Sequence, residues 1–208
     1  MRRLVPFLLI FAAGAAAYAA TRPSPAPPPP RAARTAVAFL AGGCFWSNET
    51  DLDHISGVIA TISGYAGGRV ANPSYGQVSA GGTGHLETVR VVYDPARISY
   101  AALLDRWFRT IDPLDGSGQF CDRGEEYRTA IFVRNAAERR AAEAAAARAG
   151  RALRAPLATR VLPARNFYPA EDYHQDYARK NPLRYRLYRS GCGRDARVRE
   201  IWSRARSA

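Results

Sequence analysis

Short apolar runs closed by turn-forming residues recur through the middle of the chain and predict β-strands. Residues 35–40 and 58–65 are largely apolar, and residues 87–93 are rich in β-branched side chains. Residues 127–133 and 158–162 have the same character. These runs are too short for typical helices, so the pattern indicates a β-sheet.

Segments with helix-forming residues alternate with these runs. Ser99 and Asn135 stand where N-caps are expected, and the segment after Ser99 repeats apolar residues at helical spacing. The helices are predicted at residues 47–55, 100–111, 136–149 and 169–180. The order of strands and helices predicts an α+β domain in which helices cover an antiparallel or mixed sheet.

The two ends of the chain differ from this middle. Residues 1–20 have a basic start, an apolar stretch and a small-residue end, which is typical of a signal peptide; an uncleaved signal anchor is the alternative. Residues 21–32 form a proline-rich linker. We therefore expect an exported, periplasmic protein with a folded domain at 33–183 and a basic tail at 184–208.

The chain carries a formal net charge of +12. Its arginines are spread along the sequence and are not interleaved with aromatics in a nucleic-acid-binding motif, so we expect no nucleic-acid partner. A weak attraction to anionic membrane surfaces is the remaining consequence of this charge. We expect a monomer.

Cys44 is the strongest candidate for chemistry. It lies in the segment 42–46 (GGCFW), between the first predicted strand and the first predicted helix. A helix N-terminus stabilises a thiolate, so we expect a lowered pKa and a nucleophilic Cys44. The alternative is a buried cysteine that acts as a small apolar side chain.

Other reactive residues lie in loops or at strand ends, where sites usually form. These are Tyr75, Glu87, Asp122 and Tyr127, and together they suggest thiol chemistry with an acid nearby. Two further cysteines, Cys121 and Cys192, leave an odd total. The spacing of the cysteines and histidines fits no zinc motif, so we expect no metal.

The sequence resembles the A-type peptide methionine sulfoxide reductases over residues 37–182. The resemblance rests on ordered motifs: 42–46 (GGCFW), 63–68 (SGYAGG), 72–75 (NPSY), 83–87 (TGHLE), 122–124 (DRG) with 127–129 (YRT), and 170–177 (AEDYHQDY). It implies a ferredoxin-like α/β sandwich with an extended C-terminal tail. It also implies reduction of methionine S-sulfoxide, free or in proteins, without a cofactor.

The resemblance assigns a role to each candidate. Cys44 would attack the sulfoxide sulfur, Phe45 and Trp46 would hold the substrate methyl, and Glu87 would protonate the sulfoxide oxygen. Tyr75 and Tyr127 would hydrogen-bond that oxygen, and Asp122 would orient the water of the site. Methionine would then leave Cys44 as a sulfenic acid.

A second thiol would resolve this sulfenic acid as a disulfide, which a thioredoxin-like dithiol reductant would reopen. We assign the resolving role to Cys192, because Gly191 and Gly193 would make the tail around it flexible. Cys121 is the rival, since it adjoins Asp122. A relay through both cysteines is also open.

Two other functions remain at this point. Cys44 paired with His85 or His174 would make a cysteine hydrolase or acyltransferase. A non-catalytic binding module with an aromatic groove is the second. Under the reductase interpretation His54, His85 and His174 are structural.

Overall fold

The structure, a computed structural model, describes residues 35–204. It divides into the units Met1–Ala32 and Ala33–Ala208, and all described residues belong to the second. The predicted signal segment and proline-rich linker therefore lie outside the described residues. The strands are β1 (Ala36–Gly42), β2 (Val58–Ala66), β3 (Leu86–Tyr93), β4 (Gly118–Gln119), β5 (Asp122–Arg123), β6 (Thr129–Val133), β7 (Arg160–Pro163) and β8 (Phe167–Pro169). The helices are α1 (Phe45–Asp53), α2 (Tyr75–Ser79), α3 (Tyr100–Phe108), α4 (Ala136–Leu153), α5 (Tyr177–Lys180), α6 (Pro182–Gly191) and α7 (Arg194–Arg204).

One six-stranded sheet organises the domain, with the order β7-β6-β1-β3-β2-β8. Among the central strands β6, β1, β3 and β2, each neighbouring pair is antiparallel, and α1 and α3 follow β1 and β3 in the chain. This is the ferredoxin-like arrangement. β7 adds to β6 in parallel, so the sheet is mixed, and the predicted fold class is confirmed. No helix among residues 35–204 is long and apolar enough to cross a membrane.

The alternation of side chains along β1 explains the layers. Ala38 and Leu40 belong to the main core beneath the helices, whereas Phe39 and Ala41 belong to a smaller apolar cluster on the other face. Because successive strand residues point to opposite faces, both faces of the sheet are covered. The start of α1 is consequently held at the buried end of β1, a central strand of the sheet.

The sequence predictions differ from the structure at three places. The helix predicted at 169–180 shrinks to α5, because Phe167–Pro169 pairs with β2 as β8 and turns follow it. Residues 69–84, where no helix or strand was predicted, contain α2, whose start Ser74 and Gln77 stabilise with a capping box. Helix α4 continues past Gly150 and ends at Leu153, where Arg154 adopts a left-handed conformation.

The basic tail is helical rather than a flexible chain, which corrects the prediction made for the region around Cys192. Helices α6 and α7 flank Cys192. Arg189 and Arg194 both form ion pairs with Asp51 of α1, at 2.8 and 3.0 Å. Ile201 of α7 is buried in the main core. The tail is therefore docked against the helix that begins beside Cys44.

Asn48 ties the first helix to the sheet and to α3. Its fully buried side chain donates to the Leu40 carbonyl at 2.9 Å and accepts from the Trp107 indole N–H at 3.0 Å. A Cβ on Gly42 would lie 2.5 Å from the Asn48 side-chain oxygen, so only glycine fits there. Both hydrogen bonds fix the turn that carries Cys44.

We predict that Asn48→Ala lowers the free energy of unfolding by about 2–4 kcal/mol, because it leaves a buried carbonyl and a buried indole N–H without partners. Chemical denaturation measures this change. The matched control Asn166→Ala, at an exposed position, should stay within about 0.5 kcal/mol of the parent. Equal effects of the two substitutions would contradict the role assigned to Asn48.

Candidate active site

Cys44 stands between β1 and α1, where the sequence predicted a strand-to-helix turn. Gly43 just before it has φ +81°, and a Cβ there would lie 2.5 Å from the Gln119 Cβ. The Cys44 carbonyl accepts the backbone N–H groups of Ser47 and Asn48, both at 3.1 Å. Cys44 is buried and its thiol is free. The turn thus fixes the sulfur at the first turn of the helix.

The environment raises the pKa of Cys44, and the predicted lowering of that pKa is wrong. Burial is the largest cause, and the nearby carboxyl groups of Glu87 and Asp122 add to it. Hydrogen bonds from the Tyr188 hydroxyl and the Trp46 backbone oppose this effect without overcoming it. Without a ligand, Cys44 is therefore a thiol, and it must lose its proton during a reaction.

Glu87, at the start of β3, is buried beside Cys44. Its Oε2 accepts the backbone N–H of Phe45 at 2.8 Å. Burial raises the pKa of Glu87 to about 8; the charges of Asp122 and Glu126 add to this, while the Phe45 hydrogen bond opposes it. Glu87 is consequently mostly protonated at neutral pH and can donate a proton, as a general acid must.

Tyr75 and Tyr127 approach the same centre from α2 and from the turn before β6. Burial raises the pKa of both phenols, and the charges of Glu87 and Cys44 raise it further. Both hydroxyl groups therefore keep their protons and can donate hydrogen bonds. Glu171, which the sequence interpretation gave no role, accepts the backbone N–H of Tyr75 at 2.8 Å and fixes the start of α2.

An aromatic wall lies next to Cys44. Phe45 is buried, whereas the half-buried Trp46 stacks on Tyr177 with ring centroids 3.7 Å apart. The Trp46 indole N–H donates to His174 Nδ1 at 3.0 Å, which fixes the orientation of the indole. This wall offers an apolar, rigid surface for a small alkyl group.

Tyr188 of α6 is a site residue that the sequence interpretation missed. Its hydroxyl donates to Asp122 Oδ2 at 2.6 Å, and burial and the nearby Cys44 raise the pKa of this hydroxyl. The signal available in the sequence was its position four residues before Cys192, which places both on one helix face. Tyr188 therefore links Cys44, Asp122 and the tail.

Cys121 and Cys192 form a disulfide, with Cα atoms 4.9 Å apart. Cys192 Sγ also lies 3.8 Å from Asp122 Oδ2. Within residues 35–204, Cys121, Asp122 and Cys192 are the one cluster of potential metal ligands. Both sulfurs are occupied by the disulfide, so this form cannot bind a metal through them. The disulfide thus lies beside Asp122, whose charge also acts on Cys44.

The histidines hold structure. Both ring nitrogens of His85 bond backbone groups: Nδ1 accepts the Gly68 N–H at 3.2 Å, and Nε2 lies 2.7 Å from the Val70 carbonyl. His174 accepts from Trp46, and burial lowers its pKa. The exposed His54 contacts the Thr50 carbonyl. None of the hydrogen bonds in the described part of the chain joins a histidine to Cys44, which disfavours a cysteine hydrolase.

Known proteins have a similar sequence and a similar fold. The sequence model of the family described as peptide methionine sulfoxide reductase matches residues 36–206. A peptide methionine sulfoxide reductase MsrA 2 from Caulobacter vibrioides is 47% identical, with 97% of this chain and 99% of that protein covered. One of the same name from Rhizobium meliloti is 52% identical, with 83% and 86% covered.

A solved structure agrees with these sequence matches. The crystal structure of Mxr1 from Saccharomyces cerevisiae in reduced form superimposes with a TM-score of 0.69 and 31% identity, over 74% of this chain and 89% of the yeast chain. The similarity thus extends through most of the domain that carries the site.

Because the pKa of Glu87 is raised, the free energy of unfolding depends on pH. The folded protein keeps the Glu87 proton up to about pH 8, whereas an unfolded chain loses it near the ordinary glutamate pKa of 4.5. Between these values the native state binds more protons, so stability from this group falls as pH rises, by up to about 1.4 kcal/mol per pH unit. We expect Glu87→Gln to gain stability relative to the parent from about pH 5 to pH 8, measured by denaturation. Parallel curves would refute the raised pKa.

Proposed function

The chain belongs to the peptide methionine sulfoxide reductase family, and from this premise we propose how its site works. The enzyme is a peptide-methionine (S)-S-oxide reductase that transfers the sulfoxide oxygen to a thiol. The observation that carries the mechanism is the buried Glu87 carboxyl, which accepts the Phe45 N–H next to Cys44. A neutral acid and a thiol that lie side by side suit a substrate whose oxygen needs a proton.

In the first half-reaction Glu87 gives its proton to the sulfoxide oxygen while the Cys44 sulfur attacks the sulfoxide sulfur. The Cys44 thiol proton restores Glu87. The protonated oxygen then moves from the substrate sulfur to the Cys44 sulfur: the substrate S–O bond and the transient S–S bond break, an S–O bond to Cys44 forms, and methionine leaves Cys44 as a sulfenic acid. The hydroxyls of Tyr75 and Tyr127 hold the oxygen as its bond to the substrate sulfur breaks. Cys44 is oxidised and methionine sulfoxide is reduced, so electrons and atoms balance.

Stereochemistry follows from the fixed surroundings of Cys44. The wall of Phe45 and Trp46 takes the substrate methyl, while Glu87 and the two phenols take the oxygen. In the R epimer either the methyl or the oxygen would miss the residues that bind it, so the reacting atoms would not be aligned.

The second half-reaction makes disulfides. Cys192, with its sulfur 3.8 Å from Asp122, attacks the Cys44 sulfenic acid and releases water. Cys121 then attacks Cys192, which frees Cys44 and leaves the Cys121–Cys192 disulfide found in this structure. A docked tail replaces the swinging tail of the sequence hypothesis, and the 3.8 Å between Cys192 Sγ and Asp122 Oδ2 supports this change.

A thioredoxin-like dithiol is the reductant we propose. Cys121 is exposed, and a cavity of about 500 Å³ opens beside Cys192, lined partly by Phe120 and Arg197. A reductant thiol can therefore reach the disulfide without entering the buried pocket of Cys44.

We further propose that the enzyme is exported and repairs oxidised exported proteins as a monomer. The signal-like pattern of residues 1–20 supports this localisation. Its reductant would then be a thioredoxin-like domain outside the cytoplasm, and the basic surface would attract anionic lipid weakly.

The first test is the rate of methionine formation in single turnover. We expect Cys44→Ser to form no methionine, and Glu87→Gln to slow the step about 10²- to 10⁴-fold, since glutamine keeps the shape without the proton. The S epimer is the substrate and the R epimer is the control. An unchanged rate in Glu87→Gln would remove Glu87 from its role, and equal rates with both epimers would contradict the pocket geometry.

The second test maps disulfides after one equivalent of sulfoxide without reductant. We expect Cys121→Ser to stop at a Cys44–Cys192 bond and Cys192→Ser to form no rapid disulfide, while the parent ends with Cys121–Cys192. Mass spectrometry of digests identifies each bond. If Cys192→Ser quickly forms Cys44–Cys121 and turns over normally with a thioredoxin-like donor, the order of the relay is wrong.

A further inference from the structure

Tyr188 and Asp122 connect the surroundings of Cys44 with Cys192. Burial and the nearby Cys44 raise the pKa of the Tyr188 hydroxyl, and this hydroxyl donates to Asp122 Oδ2 at 2.6 Å. The same carboxylate oxygen lies 3.8 Å from Cys192 Sγ. Asp122 Oδ2 therefore lies next to both the Tyr188 hydroxyl and the Cys192 sulfur.

Helix α6 enforces this arrangement. The Cys192 N–H donates to the Tyr188 carbonyl at 2.9 Å, so the two residues lie one turn apart on the same helix face. Two ion pairs to Asp51, from Arg189 and the buried Arg194, hold the helix ends against α1. Neither Tyr188 nor Cys192 can move away from Asp122 without disturbing these contacts.

We propose that Asp122 and Tyr188 are the proton path of the resolving step. Asp122 takes the proton of the Cys192 thiol while the Cys192 sulfur attacks the Cys44 sulfenic sulfur. Tyr188 gives its proton to the leaving hydroxyl and regains one from Asp122. The S–O bond breaks, the S–S bond forms and water leaves, so Asp122 and Tyr188 return to their starting states.

The charges around Asp122 suit a base that works at neutral pH. Burial raises the pKa of Asp122, and the hydrogen bond from Tyr188 and the positive charges of Arg194 and Arg123 oppose this rise. On the other side it faces Glu87 and Cys44. Partial burial makes Asp122 more basic than an exposed aspartate, and the flanking arginines favour its charged form.

The inference rests on the proposed reductase activity, and the test separates the two. A Cys121→Ser background stops the reaction at Cys44–Cys192. One equivalent of methionine S-sulfoxide is added without reductant. Methionine release reports the first step, dimedone labelling of Cys44 reports the sulfenic acid, and loss of thiols reports the resolving step.

In this background we expect Tyr188→Phe and Asp122→Asn to slow the resolving step at least tenfold more than methionine release, so that the sulfenic acid accumulates. Tyr185→Phe is the matched control, because Tyr185 lies on the same helix and its hydroxyl contacts Arg189 instead. The control should resolve at the parent rate. Resolution in Tyr188→Phe at the rate of Tyr185→Phe overturns the proposal.

The pH profile distinguishes a base from a structural residue. With Asp122 as base, the resolving rate stays nearly constant at neutral pH, whereas in Asp122→Asn it rises about tenfold per pH unit below about 8.5, the ordinary cysteine pKa. A flat profile in Asp122→Asn contradicts the role of Asp122. If no protein releases methionine, the reductase proposal has failed instead, and one equivalent of hydrogen peroxide then generates the Cys44 sulfenic acid for the same measurements.

Discussion

The hydrogen bond from the Phe45 backbone to the Glu87 carboxyl, in a site that excludes water, is the constraint on which the rest of the site depends. It holds an acid of β3 against the first turn of α1. Since burial keeps that acid protonated, the adjacent Cys44 does not face a permanent negative charge at neutral pH. The pocket therefore holds the Cys44 thiol and the Glu87 proton donor side by side until a sulfoxide binds next to them.

The tail serves the same pocket from the other side. Arg194 of α7 reaches the carbonyl of Gly42, two residues before the nucleophile, and also pairs with Asp51 of α1. The C-terminal helices are thus part of the active centre. Their ion pairs are half-buried or buried, so they fix geometry more than they add stability. In this arrangement the oxidised sulfurs lie near the surface, whereas the nucleophile is shielded.

Most of the strands, two of the helices and several site residues could be predicted from local patterns and motifs in the sequence. Short apolar runs located the central strands, the Ser99 and Asn135 caps located α3 and α4, and the ordered motifs brought Cys44, Glu87 and Tyr127 to one site. The pKa of Cys44 was mispredicted, because the helix N-terminus is visible in a sequence and the depth of burial is not. The role of Tyr188 and the docking of the tail depend on long-range ion pairs between α1 and the tail, which no local pattern encodes.

The central claim is that Glu87 is a neutral acid beside Cys44 in the resting enzyme. Infrared difference spectroscopy of the parent against Glu87→Gln at neutral pH tests it most directly, because a protonated carboxyl has a C=O stretch that a carboxylate lacks. The account predicts a protonated-carboxyl band that disappears in the variant and titrates away near pH 8. A carboxylate signature for Glu87 at neutral pH would contradict it.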